Sequence, residues 1–166
     1  LVDGIRMLEF LRKLYLMQWK LGEIIYLVGT KNSMPKFGRK SRASLETCDE
    51  RLQKVFNEVV KTYDCTVTCG HRGEEDQNKA FDEGRSKVKY PKGRHNSDPS
   101  TAVDVYPYPV SFKNIERMIH FAGFVLGVAK SMGIDLIWGR DWNSEWFLND
   151  RNKTTFKDYP HFEIKE

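Results

Sequence analysis

Two hydrophobic periods alternate along this chain. Leu52, Val55, Phe56, Val59, Val60 and Tyr63 recur at three- and four-residue intervals, the spacing of one helical face. Thr47 and Glu50 read as a capping box at its start. Ile115, Met118, Ile119, Ala122, Val125, Leu126, Ala129 and Met132 repeat the spacing over a longer run, capped by Ser111 and ended by Gly133. "GEEDQNKAFDEGRS" predicts a further helix, with acids in the first turn where the helix dipole favours them. Shorter runs predict strands at "CTVTC" (65–69), "AVDVYP" (102–107), "IDLIW" (134–138) and "PHFEI" (160–164). Residues 86–101 are rich in Gly, Pro, Ser and Lys and read as a loop, as does "GRDWNSEWFLND". This order has no regular βαβ beat, so the expected class is α+β and not a doubly wound sheet.

The first 33 residues stand apart. Residues 5–28 are apolar but interrupted by Arg6, Glu9, Arg12, Lys13, Lys20 and Glu23. At about 100° per residue, those charges fall within an arc of roughly 120°, which predicts an amphipathic helix. No uninterrupted apolar run approaches the ~20 residues of a membrane span. The helix would dock on its own domain or a second copy, or lie on a membrane surface. The expected organisation is an N-terminal extension over 1–33 and one domain over 34–166, with Met34 an alternative start.

Composition narrows the picture. The chain has 166 residues, 40% hydrophobic and 30% charged, which suits a folded domain rather than a disordered one. The net charge of +4 includes a basic run at Lys31, Lys36, Arg39, Lys40 and Arg42. Such a run reads as a solvated linker, or as an attraction to an anionic polymer. No stacking platform interleaves it, so no nucleic-acid partner is expected. Of the three cysteines, Cys65 and Cys69 would sit roughly 13 Å apart on one strand, too far for a disulfide. All three are expected reduced, as in a chain made in a cytoplasm.

The candidate chemistry starts at Asp104, inside an otherwise apolar strand. Ala102, Asp104 and Tyr106 share one strand face, Val103 and Val105 the other. A carboxylate there is costly unless it is hydrogen-bonded, paired or bound to a metal. His95 lies in the loop before it, and "KDYPHFEI" repeats the oddity with Asp158 and His161 around Pro160. His95, Asp104 and His161 form the three-ligand kind of set that zinc uses in catalytic sites, with a fourth position left for water. Asp158 fits a general base. The alternative is an aspartate satisfied by ordinary hydrogen bonds, since four histidines offer some His/Asp combination in any chain of this length.

"CGHRGEEDQNKAF", "HNSDPSTAVDV", "WGRDW" and "DYPHFEI" together resemble the zinc D-alanyl-D-alanine carboxypeptidase and L-alanyl-D-glutamate endopeptidase family, which includes VanY-like enzymes. "MPKFGRKS" brings the chain nearer its phage endolysin branch. The resemblance spans roughly residues 34–164. It implies a Hedgehog/D-Ala-D-Ala-peptidase-like fold (a small antiparallel sheet flanked by helices), zinc held by His95, Asp104 and His161, and Asp158 as general base. It also implies that Arg72 binds substrate and steadies the oxyanion, supported by Gln77. The implied activity is cleavage of the L-alanyl-D-glutamate bond of bacterial peptidoglycan. The chain is expected to be a monomer, made in the host cytoplasm and acting on the cell wall. A D-alanyl-D-alanine carboxypeptidase and a non-catalytic zinc-bearing domain of the same fold are the alternatives. The chain departs from the family in three places: the His95–Asp104 spacing is two positions longer than is common, and Arg140 and Cys69 stand where glycine and serine are common. The cysteine is expected to matter little. Asp141 is read as a partner of a ligand histidine or as a turn cap. The aromatics Trp138, Trp142, Trp146 and Phe147 would either wall the cleft or form a small satellite core.

Overall fold

The computed structural model describes residues 34–144 and 156–166. The amphipathic stretch 5–28, and with it Trp146 and Phe147, lies outside the described residues. In chain order the elements are α1 (Arg39–Glu46), α2 (Glu50–Thr62), β1 (Cys65–Cys69), α3 (Glu74–Asp82), a 3₁₀ turn (Arg94–Asn96), β2 (Ala102–Pro107), α4 (Ile115–Ser131), β3 (Leu136–Trp138) and β4 (His161–Ile164). The strands form one sheet in the order β1-β2-β4-β3, with every neighbouring pair antiparallel. The expected α+β class is therefore the observed one.

Alternation divides this sheet into two unlike faces. Cys65 and Val67 of β1, Val103 and Val105 of β2, Leu136 and Trp138 of β3, and Phe162 and Ile164 of β4 enter the core. The helices α2 and α4 cover that face with Leu52, Val55, Phe56 and Val59 and with Phe121, Ala122 and Val125. Phe162 is the junction: its ring meets Phe56 and Phe121 edge-on at centroid distances of 5.5 and 6.2 Å. Truncating such a buried phenylalanine to alanine costs about 3–5 kcal/mol. The opposite face carries Asp104 and His161, which are direct cross-strand partners. The fold thus presents polar groups from its two central strands while the apolar set closes beneath them.

Four local expectations are corrected. The basic run is not all linker: Arg39, Lys40 and Arg42 lie on α1, whose Ser41 and Leu45 are buried. Ser41 Oγ accepts the Val67 amide at 3.2 Å, so α1 covers the outer edge of β1, an edge that would otherwise leave backbone groups unpaired. The N-cap of α2 is Asp49 rather than Thr47, and its carboxylate accepts the Arg51 amide at 2.9 Å. Thr47 is engaged elsewhere, donating to the Ser44 carbonyl and accepting the His71 amide. The cap of α4 is Asn114, which accepts the Arg117 amide at 3.0 Å, rather than Ser111. Gly133 follows α4 at φ +71°, the left-handed conformation that favours glycine. Along α4, Ile115, Ile119 and Met132 are exposed, and Phe121 takes their place in the buried stripe.

The Asp49 cap gives a stability prediction. Asp49→Ala is expected to destabilise the protein by about 0.5–2 kcal/mol. Thermal denaturation should show a fall of about 2–4 °C per kcal/mol. The same experiment on Thr47→Ser, which keeps the hydroxyl, should show little change.

Candidate metal centre

Each site residue is delivered by a different device. Asp104 projects from the middle of β2, and His161 opens β4 directly opposite it. His95 sits in the short 3₁₀ turn, anchored where the Arg72 amide donates to the His95 carbonyl at 2.8 Å. Asn96 steadies the same turn by donating to the Arg72 carbonyl at 2.8 Å. The lengthened segment between His95 and Asp104 closes on itself: Ser97 Oγ accepts the Thr101 amide at 3.0 Å, and Thr101 Oγ1 donates to the Arg94 carbonyl. The two extra positions therefore leave both side chains in place.

The three groups converge. His95 Nε2 lies 3.2 Å from Asp104 Oδ1, His161 Nδ1 lies 3.3 Å from the same oxygen, and the two nitrogens are 3.2 Å apart. Ligands held 2.0–2.1 Å from a tetrahedral ion are separated by about 3.3–3.4 Å. The observed triangle is one face of such a tetrahedron. The outer ring nitrogens are also accounted for. His95 Nδ1 is 2.7 Å from the Gly70 carbonyl, and His161 Nε2 is 3.0 Å from Glu163 Oε2. In neutral rings those acceptors take the N–H protons, which leaves two imidazole lone pairs and a carboxylate oxygen facing one point. These residues could hold a divalent cation.

The electrostatics point the same way. Burial disfavours a charged His95, but Asp104 and Cys69 outweigh it and push its pKa up to about 10. His161 is raised too, with burial opposed by Asp104 and Glu163. Burial would raise the Asp104 carboxyl, yet hydrogen bonds from His161 and His95 hold it well below the usual carboxylate range. The cluster is thus a strong anionic sink that a cation can satisfy in place of protons.

Asp158 joins the rim. Its amide donates to the Gly139 carbonyl at 2.8 Å, and its own carbonyl accepts the His161 amide at 3.3 Å. Burial pushes its carboxyl pKa up, and the Asp104 charge adds to that. Arg72 lines the same cleft. Its guanidinium lies 3.5 Å from Asp104 Oδ2 and 3.2 Å from Gln77 Oε1. Gln77 is buried at 1% exposure, and its Nε2 donates to Ser86 Oγ and the Val88 carbonyl, tying Arg72 to the loop that forms the far wall. All six residues expected at the site are therefore brought together: His95, Asp104 and His161 at its centre, with Asp158, Arg72 and Gln77 beside them.

Two contributors escaped the sequence reading. Glu163 grips His161, and its signal was present, since residues 161 and 163 of a strand share a face. Cys69 stands with His95 and Asp104, their ligand-type atoms all within 4.8 Å of one another. All three cysteines are free. Arg140 leaves the local turn intact: the Asp141 amide donates to the Trp138 carbonyl at 2.8 Å, and Arg140 is not among the cleft-lining residues. The aromatics divide. Trp138 is core, with its indole N–H on the Tyr159 carbonyl. Trp142 walls the cleft, with its ring 5.3 Å from that of His161 and stacked on Phe156.

Gly139 is where close approach is required. A Cβ there would meet the Asp158 carbonyl oxygen and come within 2.9 Å of the His161 Cβ. Gly139→Ala is expected to cost about 1–3 kcal/mol. It should also lower divalent-metal affinity, because the Asp158–His161 turn must move. Thermal melting and metal titration together check this; unchanged values in both would refute it.

A small antiparallel sheet, helices on one face and a His/Asp cluster on the other define a fold of the Hedgehog/D-Ala-D-Ala-peptidase type. The crystal structure of the Serratia marcescens L-Ala D-Glu endopeptidase ChiX is similar to this chain, with a TM-score of 0.61 and 23% identity, covering 81% of this chain and 94% of that one. Residues 34–165 match the phage L-alanyl-D-glutamate peptidase family, and the chain belongs to it. It is 29% identical over 135 residues to the L-alanyl-D-glutamate peptidase of Escherichia phage T5, covering 78% of this chain and 97% of that protein.

Proposed function

We propose that this protein is a zinc-dependent endopeptidase that cleaves the L-alanyl-D-glutamate bond of peptidoglycan stem peptides. The observation that carries the reading is the triangle of His95 Nε2, Asp104 Oδ1 and His161 Nδ1, with edges of 3.2–3.3 Å at the floor of a cleft. Membership of a family described by that activity supports the choice of substrate.

His95, Asp104 and His161 would hold the ion. When bound, zinc supplies Lewis-acid polarisation and lowers the pKa of a water to about 7. The protein groups around it divide the remaining work. Asp158 accepts the proton of the attacking water and returns it to the departing amine. Arg72 donates to the carbonyl oxygen as it gains negative charge, a role worth about 2.7–4 kcal/mol for a single donor. Gln77 fixes the Arg72 guanidinium, and Glu163 fixes the His161 ring. Trp142 and Phe156 present an aromatic wall on which substrate can lie. The chain is read as made in the host cytoplasm and acting on the cell wall. Among the described residues, no helix is long and apolar enough to cross a membrane.

Product analysis on purified peptidoglycan tests the reading. New amino groups on D-glutamate are expected. Released D-alanine would assign the carboxypeptidase activity instead, and binding without any release would assign a non-catalytic domain.

A further inference from the structure

Cys69 is placed at the centre by an irregularity in β1. Between β1 and β2 the register runs Thr66 with Tyr106 and Val67 with Val105, so Thr68 is due opposite Asp104. Cys69 is found there instead, because the register shifts between Val67 and Cys69. A bulge of this kind adds one residue to a strand and re-aims the side chain that follows. In regular alternation Cys69 would follow Cys65 and Val67 into the core. The bulge turns it to the other face, beside Asp104 and His95, with the three ligand-type atoms within 4.8 Å of one another. Arg72 Nη2 lies 3.4 Å from its sulfur, a cation that favours the thiolate. Cys48 and Cys65 are 1% and 4% exposed and stay in the core.

We propose that Cys69 is a sulfur ligand of the metal centre, binding the ion beside His95, Asp104 and His161 in the substrate-free protein and yielding its place when substrate enters. The proposal rests on the metal-site reading above. Its chemistry follows from the donor set. Two imidazoles, a carboxylate and a thiolate make four ligands of the kind tetrahedral zinc takes. A thiolate also biases the site towards zinc and other soft ions, and away from magnesium and manganese. Because a site with four protein ligands has no position for water, release of the sulfur couples substrate entry to exposure of the reactive corner.

The test uses the full chain loaded with cobalt(II). The wild type is expected to show a thiolate-to-cobalt charge-transfer band in the near ultraviolet beside the visible d–d bands. Cys69→Ser should keep the visible bands and lose the near-ultraviolet one. Visible bands without charge transfer in the wild type, or charge transfer that survives in Cys69→Ser, overturn the proposal while leaving the metal site standing. If no cobalt binds, the metal-site reading fails and this proposal with it. A second measurement needs no variant. Alkylation of Cys69, followed by peptide mapping, should be roughly tenfold slower in the zinc-loaded protein than after chelation, since a bound thiolate is withdrawn as nucleophile. Equal rates would count against sulfur ligation.

Discussion

Asp158→Asn is expected to lower peptidoglycan turnover by about 10²–10⁴-fold, the usual contribution of a positioned acid–base group. The substitution keeps the size and removes only the capacity to take and return a proton. The Asp158 backbone should stay in place, because it is fixed by the bonds to Gly139 and His161 and not by its side chain. Burial and the nearby Asp104 charge push the Asp158 carboxyl above its ordinary range, which favours its holding a proton. Asp158 also stands with Asp104 and His161, their ligand-type atoms within 4.8 Å of one another. Because it serves as a base rather than a ligand, its loss should leave bound metal stoichiometric by elemental analysis. The loss should fall on kcat more than on KM. Asp158→Glu, which restores a carboxylate, should recover part of the rate. Full turnover in Asp158→Asn would remove this residue from the mechanism.

Chelation should have the other large effect. Stripping the ion is expected to abolish hydrolysis and to lower the melting temperature, with both restored by added zinc. Ligand binding stabilises the native state by RT ln(1 + [L]/Kd), about 4.1 kcal/mol at a thousandfold excess over Kd. At about 2–4 °C per kcal/mol, that is a shift of roughly 10 °C. The physical source is the anionic cluster on the sheet, where Asp104 now draws His95 up to about 10. A divalent ion meets the same lone pairs with a fixed charge. Unchanged melting and unchanged lysis after complete removal would end the metal reading.

Most of the site was legible because strand parity is visible in a sequence. Asp104 breaks the alternation of "AVDVY", and His161 opens "HFEI", so each announced itself as a polar group on a buried strand. Glu163 obeys the same parity, two residues beyond His161, and was equally legible. Cys69 was not legible. Its orientation depends on a bulge, and no residue in "CTVTCG" distinguishes a bulged strand from a regular one. The helix starts were misread for a related reason. Thr47, Asp49, Ser111 and Asn114 are all competent caps, and the one chosen depends on partners distant in sequence, such as the His71 amide that occupies Thr47. The α1 helix was hidden because its charges outnumber its two buried positions, Ser41 and Leu45.

The division of the sheet into an oily side and a chemical side bears on how this scaffold can be re-engineered. Asp104 and His161 are stitched together by the ladder itself, whereas Ser86, Val88 and Phe156 border the groove from segments outside the strands. Exchanging those border segments should retarget the catalyst to differently cross-linked walls without retuning its reactive heart.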